Sequence, residues 1–449
     1  MELIGHKPER KVVIYFLAAI MVGALLLLLP ISSSGQPVSL IDALFTATSA
    51  ICVTGLTVLD TGHDFSFFGQ IVILILVQLG GIGIMTLATT LLITIVPKLS
   101  FQDRLAITQT LGGDRRVKPY SLLKAVMLTT FTVELIGAVM LFLRFGREFP
   151  VGKAVYYSVF HSISAFCNAG FSPFSNSLEN YRNDLPMLAI FAVLIILGGL
   201  GFVVINELAA KMRNKKLKLS LHSKLCLIVT AALIIIGTTA FMVGEYRNEF
   251  IRNLGFVDGL GNAFFQAVTS RTAGFNAIPQ TNLTEVSLLI TIILMFIGAC
   301  PGSTGGGVKT TTLAVLLVMA FNRFRGRSSM TVFKKSLGSD SINRALTVIL
   351  VAILIIVVMF VMFMFVEDRP VPHKLSHGWF VEGAFEVMSA FGTVGLSLGA
   401  TSHLHSFGKI IIILLMFTGR VGLLTLVFTL ARPPKRGEIV YLDEQVMVG

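Results

Sequence analysis

Four times along this chain, a semi-apolar segment too short to cross a bilayer lies between two apolar runs that are long enough. A helical span needs about 20 apolar residues. The long runs cover residues 12–30, 67–96, 122–145, 185–209, 224–243, 286–321, 345–366 and 407–430. The short segments cover 40–56, 154–171, 262–275 and 383–396. Each short segment opens on a helical stretch with an aromatic residue and closes on a glycine followed by Leu or Phe. Those glycines are Gly55, Gly170, Gly274 and Gly395, spaced 115, 104 and 121 residues apart.

The second run of each pair carries a landmark of its own. Gly80-Gly81-Ile82-Gly83, Gly198-Gly199-Leu200-Gly201, Gly298-Ala299-Cys300-Pro301 and Gly419-Arg420-Val421-Gly422 follow the loop glycines by 25, 28, 24 and 24 residues. Small residues let membrane helices pack closely, which accounts for the second landmark by itself. It does not account for a short segment that ends in glycine four times. The expected fold is an all-α polytopic membrane protein with four span–pore loop–span repeats, eight transmembrane helices in all, around a pseudo-fourfold pore. The repeats are expected at residues 1–97, 98–211, 212–323 and 324–431, with a cytoplasmic C-terminal tail at 432–449.

Hydrophobic residues make up 54% of the 449 and charged residues only 13%, against about 25% charged in a soluble domain. That excludes a soluble enzyme, a disordered chain and a disulfide scaffold. Cys52, Cys167, Cys226 and Cys300 each stand alone in apolar stretches and read as small buried thiols. The histidines lack ligand spacing, so no metal-binding histidine site is expected. No cleavable signal peptide is evident, because the first apolar run is too long for a signal h-region. The net charge is +12, but the basic residues are distributed as in a membrane protein rather than a nucleic-acid binder. Of 36 Lys and Arg, 24 fall at the two termini and in the connections after the second, fourth and sixth runs, against 10 in the opposite connections. The positive-inside rule then places both termini in the cytoplasm.

Non-helical backbone at membrane depth is tolerated only where protein or a water-filled cavity satisfies it. Four such stretches around one axis supply a ring of carbonyls, which can replace the hydration shell of an alkali cation. Glycine suits a carbonyl-inward backbone because φ > 0 costs it little. Each short helix aims the negative end of its dipole at the same cavity. The stretches are Val53-Thr54-Gly55-Leu56, Asn168-Ala169-Gly170-Phe171, Thr272-Ala273-Gly274-Phe275 and Thr393-Val394-Gly395-Leu396. None holds a carboxylate, as a ring tuned for divalent cations might. The first and fourth come closest to the Thr-Val-Gly pattern of potassium channels.

On these residues the chain resembles membrane subunits of the Trk/Ktr/HKT superfamily, above all the bacterial Ktr type (KtrB/KtrD-like). The resemblance covers nearly the whole chain. Its most specific pieces are ATSAICVTGL, SISAFCNAGF, TSRTAGFN, MSAFGTVGL and IGACPGSTGGGVKTTT. It implies potassium uptake across the plasma membrane and a homodimer with one pore per protomer. It also implies a cytosolic octameric ring of RCK-type (KtrA/KtrC-like) subunits. ATP or ADP would bind on that ring only, leaving this chain without a cofactor beyond the transported potassium or sodium. In the family a serine at the first filter glycine goes with sodium transport, so Gly55 favours potassium. The alternative is a sodium-permeable or sodium/potassium-cotransporting HKT-like carrier.

The sixth run is too long for one span and is broken at 297–312 by Pro301, Gly302, Ser303, Thr304, Gly305, Gly306 and Gly307. A loop inside the membrane below the filter explains both the length and the break, and the resemblance implies an intramembrane gate there. The GSTGGGVKT stretch mimics a phosphate loop but fails on spacing, since Val308 separates Gly307 from Lys309. Lys309 and Arg420 lie within spans, where a charge is costly unless it faces a cavity or a partner. Arg420 reads either as a positive charge lining the pore beside the loop or as a structural donor to loop carbonyls. Arg271, three residues before Gly274, is expected behind the filter on a buttressing partner, Glu386 being one such partner among others the sequence leaves open. Glu134 and Glu207 read as structural pairs, with ion coupling as the alternative. Ser39-Leu40-Ile41-Asp42 has the form of a capping box.

Two other transport classes compete. A secondary transporter of organic solutes predicts a two-part inverted repeat and a polar midplane pocket, but this repeat is fourfold. A pump or membrane enzyme needs a catalytic domain that the short cytoplasmic loops cannot house. The basic loops at 115–118, 211–218 and 323–335 are expected to dock the gating ring or to touch anionic lipid. No nucleic-acid partner is expected.

Overall fold

The computed structural model describes residues 8–95, 119–248, 252–326, 330–333, 335–367 and 378–422. Among the described residues the helices are α1 (Pro8–Leu27), α2 (Leu40–Ile51), α3 (Phe67–Ile95), α4 (Pro119–Phe145), α5 (Val151–Phe166), α6 (Leu185–Leu200) and α7 (Phe202–Arg213). They continue with α8 (Leu221–Gly244), α9 (Phe256–Thr269), α10 (Glu285–Phe296), α11 (Thr310–Phe324), α12 (Ser339–Val366), α13 (Trp379–Gly392) and α14 (Ser406–Val421). One small hairpin pairs Thr331–Val332 with Lys335–Ser336.

Helix starts follow local side-chain chemistry. Ser39 accepts the Asp42 N–H at 3.2 Å and donates its own hydroxyl to Asp42 Oδ2 at 2.7 Å, so an orphan amide of α2 is satisfied. Asp184 caps α6 through the Met187 N–H at 3.0 Å, with a proline in the first turn. Ser220 caps α8 in the same way through Ser223.

Among the described residues, three helical segments are long and apolar enough to cross a membrane: Lys124–Phe145, Leu221–Gly244 and Ser339–Val366. The α6–α7 pair makes a fourth if it counts as one span bent by 104°. On α12, Leu350, Leu354, Val361 and Phe365 are exposed large apolar side chains, which suits lipid and not water.

The fourth apolar run is not the uninterrupted span expected over 185–209. It turns at Gly201, where φ is +84°. A Cβ there would lie 2.9 Å from the Gly302 carbonyl group, and Phe202 N donates to Gly302 O at 3.2 Å. The glycine therefore serves a chain reversal around the loop of the sixth run as well as close packing. The sixth run stops at Phe296 and resumes at Thr310. The part of the eighth run beyond Gly422 lies outside the described residues, as do the basic loop at 115–118 and the C-terminal tail.

Packing follows a closed order. The short helices α2, α5, α9 and α13 pack on α1, α4, α8 and α12 respectively. Each also packs on a long-run helix from the neighbouring part of the chain: α5 on α3, α9 on α6, α13 on α10, and α2 on α14. That last contact joins the two ends of the fold, and Lys409 on α14 pairs with Asp42 on α2 at 2.6 Å. Both side chains are mostly buried (14% and 17% exposed). We expect a double-mutant cycle of Lys409→Gln and Asp42→Asn to show a coupling of about 1–2 kcal/mol in thermal unfolding in detergent, between exposed and fully buried pairs. Additive effects would show that the seam is held by apolar packing alone.

Candidate ion-selective site

The four glycine-terminated stretches fold alike. Val53, Asn168, Thr272 and Thr393 have φ of +54°, +59°, +78° and +49°. Two residues on, Gly55, Gly170, Gly274 and Gly395 have φ of +90°, +70°, +77° and +93°. The residue between them keeps an ordinary φ in every case. Alternating hands bring successive carbonyls round to one side of the chain, whereas a strand sends them to opposite sides. Positive φ at β-branched Val53, Thr272 and Thr393 is a true outlier, costing on the order of 1–3 kcal/mol each. The same positive φ recurs at one register in four separate parts of the chain.

The glycines meet in a ring. A Cβ on Gly55 would lie 2.4 Å from the Ala169 carbonyl oxygen, and one on Gly170 would lie 2.9 Å from that of Ala273. On Gly274 it would meet Val394 O at 2.3 Å, and on Gly395 it would meet Thr54 O at 2.2 Å, which closes the circle. Glycine is required twice over, by φ and by room. Leu56, Phe171, Phe275 and Leu396 are buried immediately beyond.

Each stretch is held by a hydroxyl in the last turn of its short helix, a feature not singled out from sequence. Ser49 Oγ accepts the Gly55 N–H at 3.1 Å, and Ser389 Oγ accepts the Gly395 N–H at 3.1 Å. Ser164 donates to Phe171 O at 2.7 Å, and Thr269 donates to Phe275 O at 2.9 Å. All four residues are fully buried. The available signal was a Ser or Thr five or six residues before each glycine. Losing such a bond strands a buried amide at about 1–3 kcal/mol. The Ser49→Ala, Ser389→Ala double variant should therefore melt several degrees lower and discriminate less between potassium and sodium. Thermal midpoints and ion-competition flux check this, and wild-type values for both would refute the bracing role.

Asn168 replaces the threonine or valine of the other stretches. With its amide nitrogen facing the Ala165 and Ile195 carbonyls at 3.0 and 3.1 Å, its oxygen accepts from the Thr272 hydroxyl at 3.2 Å. The second and third stretches are thereby tied to each other.

The glycine-rich loop between α10 and α11 lies against these stretches. A Cβ on Gly305 would lie 2.3 Å from Thr272 Oγ1, and one on Gly306 would lie 2.3 Å from Thr393 Oγ1. The loop neck is closed by Gly298 N to Val308 O (2.9 Å) and Thr310 N to Ala299 O (3.2 Å). Its far side is pinned to the end of α6 by Cys300 N to Gly199 O (2.9 Å) and Thr304 N to Gly198 O (3.2 Å). Thr304 also donates its hydroxyl to Phe166 O at 3.1 Å, and Ser303 donates to Cys300 O at 2.5 Å.

Three cationic side chains serve the loop carbonyls. Arg420, 2% exposed, donates one Nη to Thr304 O and the other to Gly80 O at 2.7 Å. Lys309 Nζ donates to Gly305 O at 2.6 Å and Gly306 O at 3.3 Å. Arg271 Nη2 donates to Gly298 O at 3.4 Å. The pairing of Arg271 with Glu386 is therefore not formed. Glu386 instead accepts from the Ser397 and Thr401 hydroxyls and from the Leu398 N–H at 3.2 Å, so it holds the chain just beyond the fourth glycine-terminated stretch. A carboxylate buried among three local donors has no need of a distant guanidinium.

The other polar groups singled out in these segments hydrogen-bond to neighbouring parts of the chain. Glu134 accepts from Gln78 Nε2 at 3.1 Å, and the backbone carbonyl of Glu134 accepts the Ser162 hydroxyl at 2.6 Å. Glu207 accepts the Ser220 N–H at 3.0 Å. His161 Nδ1–H donates to Tyr157 O at 2.8 Å, leaving Nε2 to accept from Ser172 at 3.0 Å. The four cysteines are free and buried.

Known proteins share this chain's sequence and fold. A family profile described as TrkH, cation transport protein, matches residues 5–436. The chain is 38% identical over 445 residues to the potassium/sodium uptake protein NtpJ of Enterococcus hirae, covering 98% of this chain and 97% of that one. It is 38% identical over 444 residues to the Ktr system potassium uptake protein B of Bacillus subtilis, covering 98% and 97%. It is 39% identical over 448 residues to the protein of the same name from Vibrio alginolyticus, covering 99% and 95%. Its fold resembles the crystal structure of the potassium transporter TrkH from Vibrio parahaemolyticus, with a TM-score of 0.74 at 19% identity, covering 96% of this chain and 86% of that one. This is a multi-pass membrane protein of a transport family and not an enzyme: the chain belongs to the TrkH family of cation transport proteins.

Proposed function

We propose that the chain is the ion-conducting membrane subunit of a Ktr-type potassium uptake system. The observation that carries this reading is the closed ring of four glycines, each facing its neighbour's carbonyl oxygen. A carbonyl ring exchanges for the water of a monovalent cation and binds it weakly enough to let it leave. The four short helices end at this ring and add their negative dipole ends. In this reading the eight apolar runs are eight spans and the chain is four repeats, bounded as the sequence spacing sets them. The closed packing order of α2, α5, α9 and α13 supports that arrangement.

The loop at 297–309 is the gate in this reading. It abuts Thr272 and Thr393 on the filter stretches, and Arg420, Lys309 and Arg271 add positive charge that opposes a cation leaving the ring. The relatives' name, "Ktr system", supports assembly with a further subunit. That partner is a cytosolic RCK-type ring carrying the nucleotide, docked on the basic loops of a homodimer in the plasma membrane with both termini in the cytoplasm. A second reading is sodium permeation or sodium dependence, favoured by the name of the Enterococcus relative, a potassium/sodium uptake protein.

Uptake in cells stripped of their own potassium systems, with and without the cytosolic partner, tests both readings. Potassium accumulation from submillimolar medium is expected with the partner present, whether or not sodium is supplied. Accumulation that needs sodium, or equal sodium uptake, would move the assignment to the second reading. Folded protein that accumulates neither ion would remove both.

A further inference from the structure

Beyond the four filter glycines, on the side away from the gating loop, the chain shapes an open vestibule of about 350 Å³. Gly55, Gly170, Gly274 and Gly395 all line it, so it is the antechamber of the ring. Much of the wall is Ser and Thr hydroxyls. Among the described residues, Asp60 is the single charged side chain that lines it. One carboxylate oxygen, Oδ1, accepts the Gly62 N–H at 2.8 Å and the His63 N–H at 3.1 Å, which folds a tight turn. Oδ2 makes no hydrogen bond among the described residues, and Asp60 is in none of their ion pairs. One oxygen thus holds the turn while the group keeps its whole negative charge at the wall.

We propose that Asp60 is a cation-concentrating residue: it raises the local concentration of the monovalent cation at the mouth of the ring. The inference rests on the conduction reading above and deepens it. Taken as a sphere, a vestibule of about 350 Å³ is about 9 Å across, which sets the scale of distance between an ion inside it and the carboxylate. At such range one unit charge changes the local cation concentration by roughly three- to tenfold, depending on how much water screens it. The effect must fade with salt, because the Debye length falls from about 10 Å at 0.1 M to about 3 Å at 1 M.

Asp60→Asn is the informative variant, since its amide oxygen can still accept both turn amides while the charge is gone. Purified full-length protein, reconstituted in proteoliposomes together with its cytosolic partner, should be assayed for potassium flux against potassium concentration. The assay is run in about 20 mM and about 1 M N-methylglucamine chloride. At low salt the half-saturating potassium concentration should rise about three- to tenfold in Asp60→Asn, with a much smaller change in maximal rate. At high salt wild type and variant should converge. A half-saturation that does not rise, or a rise that persists undiminished in high salt, overturns the proposal and leaves Asp60 as a turn former. If the variant fails to fold, wild type decides by itself: a half-saturation that is insensitive to ionic strength overturns the proposal. Folded wild type with no cation flux in any condition is a different result, which overturns the conduction reading and this one with it.

Discussion

Gly55→Ser is expected to cut the preference for potassium over sodium by at least about tenfold while leaving the protein folded. Two features set the size of this effect. Gly55 sits at φ +90°, where an L side chain is strained, and a Cβ there would lie 2.4 Å from Ala169 O. That oxygen belongs to the adjacent stretch, so the clash is relieved by moving a carbonyl of the ring itself. A displaced carbonyl loosens the coordination that substitutes for the ion's water, and the ion that dehydrates more cheaply loses its advantage. A difference of about 1.4 kcal/mol between the two ions is one order of magnitude in preference. The Ser49 hydroxyl that accepts the Gly55 N–H holds the stretch in place, which confines the damage to the ring. Competition between potassium and sodium in flux assays, normalised to folded protein, measures it. An unchanged ratio would show that Gly55 does not line the ion path.

The glycine ring was legible in the sequence because its physics leaves one residue type. Positive φ and a neighbour's carbonyl at contact distance make any side chain strained there, so the preference is written as the same letter at four spaced positions. The braces beneath it were not legible. Ser49, Ser164, Thr269 and Ser389 do one task, but Ser and Thr are interchangeable there and common throughout these apolar runs. The bend at Gly201 was hidden for another reason. Residues 185–205 carry no polar side chain on either side of Gly201, and what turns the chain is the loop of a different run occupying the space. Glu386, one of the partners the charges offered for Arg271, shows the same limit. Charge complementarity pointed from one buried ion to another, while each had found uncharged partners, Gly298 O for the arginine and Ser397, Leu398 and Thr401 for the glutamate. Backbone carbonyls freed by a broken helix are strong acceptors, and which cation each of them takes is not written in the sequence.

Those freed carbonyls also set the expectation for the loop. Deleting residues 302–307 should raise basal flux at least about tenfold and remove most of the dependence on the cytosolic partner. Arg420→Ala should move the same way by less. The neck bond between Gly298 N and Val308 O at 2.9 Å lies outside the deletion, so the shortened chain retains a way to close. The deletion removes Gly305 and Gly306, which abut the Thr272 and Thr393 hydroxyls, together with the carbonyls that Lys309 and Arg420 hold. Arg420 joins Thr304 O on the loop to Gly80 O on α3, so the loop cannot leave the filter without breaking one of these bonds. A charge-assisted hydrogen bond contributes about 1.5–3 kcal/mol, and its loss moves a two-state equilibrium toward the open arrangement by roughly ten- to a hundredfold. Arg420→Lys separates the charge from the bridge. A lysine keeps the positive charge below the ring but lacks the forked guanidinium that reaches both carbonyls. High basal flux in Arg420→Lys therefore assigns the restraint to the bridge, and near-normal gating assigns it to the electrostatic barrier. If the deletion folds and still shows wild-type basal flux with full partner dependence, the loop is not the gate. Its glycines would then serve only the close approach of α6 and the filter.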